Sequence, residues 1–196
     1  MIKTKVTNIH NLLELYAQGE RDFSWVDLEQ ASLSEINLND AQFKQANLVS
    51  ADFSLSRLRS ANLSNANLTR GIMWRADLTK ANLKETNLNR AVLIRANLSQ
   101  ANLNKALLIN ADLRLANLQS VNLEQANLTG ADLSYTNLRE ANLRGANLQG
   151  VNLTRANLTN ADLRGANLTK AILEEVDLTK AILDEVNLSR MLAVQA

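Results

Sequence analysis

The chain contains no cysteine, no proline and only one histidine, and no apolar run approaches the roughly 18 residues that a membrane span needs. Without cysteine there is no disulfide framework, no thiol nucleophile and no thiolate metal site. That composition fits a reducing cytoplasm, which sets cytoplasmic location as the expectation. The start, Met1-Ile2-Lys3-Thr4-Lys5, leads into no apolar stretch, so neither a signal peptide nor a transmembrane segment is expected. Lys and Arg number 21 against 20 Asp and Glu, and the resulting charge of +1 creates no global field toward nucleic acid or an anionic membrane. The absence of proline is informative in the other sense. It suits a fold in which nearly every backbone amide donates to a neighbouring segment.

What fills the sequence is a five-residue repeat. It runs from residue 21 to residue 190 without insertion or deletion, and positions 23, 28, 33 and onward to 188 hold 34 large apolar residues, 30 of them Leu. Phe23, Phe43, Phe53 and Met73 are the exceptions. Ala stands two residues earlier in 23 units, and Asn or Asp lies between in 26. A period of five matches neither the 3.6 of a helix nor the 2 of a strand, so the chain coils by another rule and buries its Leu column inside. Each unit needs only its neighbours for burial, so the array forms one structural domain. Short Asn and Asp side chains bond local backbone and tolerate turn dihedrals. Gly130, Gly145, Gly150 and Gly165 close their units where turns are expected, while Gly71 takes the small inner position.

The two ends differ. Residues 7 to 20 read as the only helix: Ile9, Leu12, Leu13 and Tyr16 follow helical spacing, Thr7 or Asn8 can cap the start, and Gly19 suits the position just past the end. Residues 1–20 are therefore expected to cap the open end of the Leu column in 21–190. The tail 191–196, with Met191, Leu192 and Val194, is too short for a second cap. A weak homodimer through the C-terminal coil, around Leu178, Ile182, Leu183 and Leu188, is expected from that exposed end.

The unit Ala126-Asn127-Leu128-Thr129-Gly130 and its many copies resemble the pentapeptide-repeat family, cyanobacterial members in particular. The resemblance implies an all-β solenoid: a right-handed, four-sided β-helix with four pentads per coil, the central Leu and the preceding small residue both inward, and an N-terminal helical cap. On that plan the 34 pentads make about 8.5 coils in a rod roughly 40 Å long. Charges 20 apart do not test the coil length. They are opposite at Glu85/Lys105, Glu124/Arg144, Arg155/Glu175 and Arg164/Asp184 but alike at Arg70/Arg90, Arg75/Arg95 and Arg144/Arg164.

Folded at 20 residues per coil, the residues that break the polar outer pattern gather. Ile72 stacks with Val92, Trp74 with Ile94 and Leu115 with Tyr135 on one side, with Leu55 a coil before; Leu107 and Ile109 lie on the adjoining side. Arg75, Arg95 and Arg114, together with Arg70, Arg90 and Arg155, border them. Contiguous exposed apolar area marks a contact surface, and Trp, Tyr and Arg are enriched at binding hot spots. The same residues can simply be β-formers on flat strand faces.

Catalysis finds no support, and a non-enzymatic protein with no cofactor or metal is expected. His10, in the cap helix, is expected to have a solvated or capping role, and no Gly-rich phosphate loop, HExxH or EF-hand loop occurs. Glu174-Glu175 and Asp184-Glu185 fall on opposite sides of the coil and, with Asp177, make a solvated acidic end partly neutralised by Arg155 and Arg164. Protein–protein contact through one side, with an unidentified protein, is the expected function. The alternative implied by the family is a DNA-mimicking protector of a topoisomerase such as gyrase, which the charge of +1 opposes. Trp74 among arginines also permits nucleic-acid binding, but no basic run extends it along the rod.

Overall fold

The structure, a computed structural model, describes residues 8–186. Parallel bridges join each outward Asn position to the one 20 residues on, from Asp22 with Gln42 to Asp162 with Ile182. The coil is therefore four pentads, and its four sides can be numbered from the pentads that begin at residues 21, 26, 31 and 36.

Every pentad ends in a corner. The N–H of the small inner residue donates three residues back, as Ala46 does to Phe43 and Ala61 to Leu58 at 3.1 Å. The last residue of the unit has positive φ, 56° at both Gln45 and Ser60, and this combination is the signature of a type II turn. Gly130, Gly145, Gly150 and Gly165 occupy it with φ between 61° and 67°. Among the described residues twenty-nine non-glycine residues occupy the left-handed region as well, at a cost on the order of 1 kcal/mol each. The coil-to-coil ladder holds them there, because the corner N–H donates to the next coil, as Leu55 does to the Trp74 carbonyl at 2.9 Å.

The Asn positions complete the turn. Asn62 Oδ1 accepts the N–H of Ser64 at 3.1 Å, and Asn82 Nδ2 donates to that same Oδ1 from the next coil at 3.2 Å. The ladder continues along the first side through Asn102, Asn122 and Asn142. Inside, the column is buried from Phe23 to Leu168, with Phe23 and Phe43 stacked at 5.6 Å and Phe43 edge-on to Phe53. Ser56, Thr86 and Thr136 stand at inner positions and give their hydroxyl protons to the carbonyls of Phe53, Leu63 and Leu133. Among the described residues no buried side-chain nitrogen or oxygen lacks a partner.

Helix α1, Ile9–Ala17, is shorter than the stretch expected from the sequence; Asn8 is its N-cap, accepting the Asn11 N–H at 2.9 Å, and Gly19 follows its end with φ 96°. Leu12 is fully buried, and Ile9, Leu13, Leu15 and Tyr16 pack against the core. The Tyr16 hydroxyl donates to the Asn39 carbonyl at 3.0 Å, and Arg21 lies 3.8 Å over the Tyr16 ring, which ties the helix to the first coil. At the far end burial fades: Leu173, Leu178 and Leu183 are half-buried and Ile182 is exposed. Leu188, Met191, Leu192 and Val194, part of the expectation for that end, lie outside the described residues.

Of the four opposite charge pairs 20 apart, only Arg155 with Glu175 forms an ion pair among the described residues, bidentate at 2.7 and 2.9 Å. Arg164 instead clamps Asp162 at 2.9 and 2.6 Å, and Glu85 approaches Lys84 at 3.7 Å. Residues two apart on a flat side share the outer face, so they meet without reaching across a coil.

These contacts set the acid response. The hydrogen bonds from Arg164 hold the Asp162 carboxyl below its ordinary range, those from Arg155 do the same for Glu175, and donors from Thr179 and then Thr159 lower Asp177. A carboxyl lowered in the folded state contributes stability that is full above its unfolded pKa and is lost as pH falls through the folded one. Stability should therefore fall on acidification below about pH 4. Arg164→Gln is expected to weaken the protein at neutral pH and to shrink the further loss in acid; urea melts at both pH values check this.

Candidate partner-binding face

The third side departs most from the repeat. Its bridges run Asp52 to Ile72, Ile72 to Val92 and Val92 to Asp112, so two adjacent apolar residues interrupt the column between Asp52 and Asp112; Ile172 is a third, four coils beyond Val92. The Leu55 N–H donates to the Trp74 carbonyl, that of Arg75 to Ile94, that of Arg95 to Arg114 and that of Leu115 to Ser134. These bonds, 2.9 to 3.1 Å long, place Leu55, Trp74, Ile94 and Leu115 in successive coils of one side. Trp74 is 37% and Tyr135 50% exposed; Val92 and Ile94 are half-buried.

The exchange of Asn for Ile or Val has a second effect. Elsewhere the Asn oxygen accepts the N–H two residues on; at residues 72 and 92 no such oxygen exists, and the N–H groups of Trp74 and Ile94 take no acceptor among the described residues. Leu107, on the second side, also displaces Asn, but there Asn89 accepts the Ile109 N–H at 2.9 Å. Leu107 and Ile109 thus lie around a corner from the third side, as the register predicts.

The arginines divide into two sets. Arg114 is neutralised by Asp112 at 2.9 and 2.7 Å, and Arg155 by Glu175 while it also lies 5.7 Å from the Tyr135 ring. Arg70 and Arg90 stand at the corner where the third side begins, Arg75 and Arg95 where it ends; none of the four makes an ion pair among the described residues. Arg75 lies 5.3 Å from the Trp74 ring in a cation–π contact. The surface is an apolar strip of Ile72, Trp74, Val92 and Ile94 with an unpaired cation at each corner. Trp25, 65% exposed, is apart from this surface, on the first side, where Gln45 follows it in the next coil.

Parallel coils of 20 residues, an apolar filling and a helix over one end define a solenoid, a four-sided β-helix built of five-residue units. Eight copies of the pentapeptide repeats match between residues 22 and 174, and the chain belongs to that family. A similar solved structure is HetL, a pentapeptide repeat protein involved in heterocyst differentiation regulation from the cyanobacterium Nostoc sp. Strain PCC 7120: 34% identical, covering 93% of this chain and 95% of that one, with a TM-score of 0.66. AT2G44920, from the Arabidopsis thaliana thylakoid lumen, is 30% identical over 46% of this chain and 63% of its own, with a TM-score of 0.45. QnrB1, a plasmid-mediated fluoroquinolone resistance protein, is 18% identical over 88% of this chain and 82% of its own, with a TM-score of 0.44. No curated protein matches in sequence. Among the described residues no helix is long and apolar enough to cross a membrane.

Proposed function

We propose that the protein is a non-enzymatic regulatory scaffold that binds another protein through the third side of its β-helix. The observation that carries this is the replacement, in two coils directly in register, of the polar outer residues by Ile72/Val92 and Trp74/Ile94. An exposed apolar strip of this kind stabilises a complex by leaving water, and a Trp within a ring of arginines has the composition of a binding hot spot. The regulatory role is supported by HetL, whose part in heterocyst differentiation is regulatory. Function in such folds resides in the side and not in the coil. The net charge of +1 and the arginine border oppose mimicry of DNA.

The test is capture of partners from lysate of the source cell with the wild-type protein beside Trp74→Ala/Ile94→Ala. Both residues are outward, so the fold should be retained, and a discrete set of proteins should be lost only with the double variant. An identical set from both baits would reject the third side as the binding surface.

A further inference from the structure

We infer that the third side docks an amphipathic α-helix whose apolar stripe is bordered along both edges by carboxylates, an inference that rests on the reading above and specifies the chemistry of the partner. The two stretches Arg70-Gly71-Ile72-Met73-Trp74-Arg75 and Arg90-Ala91-Val92-Leu93-Ile94-Arg95 are 20 residues apart and contain no acidic residue. Their inner members, Met73 and Leu93, are buried, so each stretch presents apolar side chains between two arginines. Coils are about 4.8 Å apart, which sets Arg70 beside Arg90 and Arg75 beside Arg95 as like charges. Arg114, Arg155 and Arg164 are neutralised within the chain, by Asp112, Glu175 and Asp162, whereas Arg70, Arg75, Arg90 and Arg95 form two stacked like-charge pairs with no ion pair among the described residues. Carboxylates on a partner would remove this repulsion at both corners and add charge-assisted hydrogen bonds.

The backbone of the third side decides the partner's conformation. Its strand N–H and C=O groups are bonded coil to coil or in the corner turns, and the exceptions, the N–H groups of Trp74 and Ile94 and corner carbonyls such as those of Arg75 and Arg95, are isolated, so there is no continuous open edge to which a strand can add. A segment that covers an apolar strip without such an edge must bring its own backbone bonds satisfied, as a helix does. From Leu55 to Tyr135 the side spans five coils, about 19 Å, which accommodates about 13 helical residues. A second copy of the chain does not fit, because two third sides would oppose arginine to arginine. Nucleic acid would meet the four cations but find between them only Trp74 as a stacking plane, with Tyr135 three coils further on.

Free helices of this length are marginal in water, so the test displays them on a stable helical scaffold with the outward face randomised. The library is panned on the full chain after removal of clones that also bind Trp74→Ala/Ile94→Ala. Recovered helices should carry an aliphatic or aromatic stripe with Glu or Asp on both borders, bind more weakly as salt rises, and lose about tenfold in affinity for Arg75→Glu/Arg95→Glu. Exchanging for Lys only the acids on the border that faces residues 75 and 95 should restore binding to that charge-reversed protein. Neutral or basic borders on the recovered helices would overturn the charge rule while leaving the docking side in place. Recovery of no helix that depends on Trp74 and Ile94 would overturn both. A fluorescent oligothymidylate that binds more tightly than the best helix, in an arginine-dependent manner, would reassign the side to nucleic acid.

Discussion

Leu118→Ala is expected to destabilise the protein by about 2 to 5 kcal/mol, against a change near zero for the adjacent Gln119→Ala. Leu118 is fully buried at the inner position of the fourth side, with Leu98 and Leu138 at the same position in the flanking coils. Truncation loses the transfer free energy of the side chain, and the space it leaves cannot readily collapse. The backbone around it is fixed by the ladder, the Leu118 N–H donating to the Asn137 carbonyl at 2.8 Å. Gln119 is exposed, and only its backbone is engaged, the N–H by Asn117 Oδ1 at 3.2 Å and the carbonyl by the Gln100 N–H at 2.9 Å, both of which Ala retains. Urea melts of both variants measure the contrast. Equal destabilisation would mean that the inner and outer positions have been confused.

Removal of residues 1–20 should make the rod self-associate. The helix places the fully buried Leu12 over the first coil and pins it with the Tyr16–Asn39 bond; without it Phe23, Val26 and Leu28 lose their cover. The N–H groups of Asp27, Ser32 and Asn37 in that coil already have no acceptor among the described residues. What keeps another strand from pairing with them is the bulk of α1 across the end. Light scattering of the truncated protein should show higher-order species; a monodisperse monomer with an unchanged melt would show that α1 is no cap.

Much of this was legible in the sequence because a five-residue period without slippage allows few ways to bury its Leu column. The inner and outer positions and the helix, with Thr7 or Asn8 as its cap, follow from spacing, and the stacking of Ile72 on Val92 follows from the 20-residue coil that the family resemblance implies; the structure has the helix capped by Asn8 and the two residues bridged. Charge pairing did not follow from spacing. Arg164 lies 20 residues from Asp184 but selects Asp162, because a two-residue step on one side is the shorter reach. Nor could the sequence show that Trp74 and Ile94 have unpaired N–H groups, since that depends on which oxygen the Asn at each turn engages. The signal was nevertheless present, as two arginine-bounded stretches of the same pattern repeated one coil apart.

The closure of each coil on 20 residues gives the sequence a phase. Insertion of a whole coil between residues 95 and 111 would lengthen the rod by about 4.8 Å and leave every later residue on its original side. Insertion of a single pentad would preserve the Leu column equally well, yet it would rotate everything downstream by a quarter turn. Leu115 and Tyr135 would then move from the third side to the fourth, severed from Trp74 and Ile94 with no loss of core packing. Stability is thus blind to a class of length changes that a partner would detect at once, so the rod can evolve in length freely only by multiples of four units.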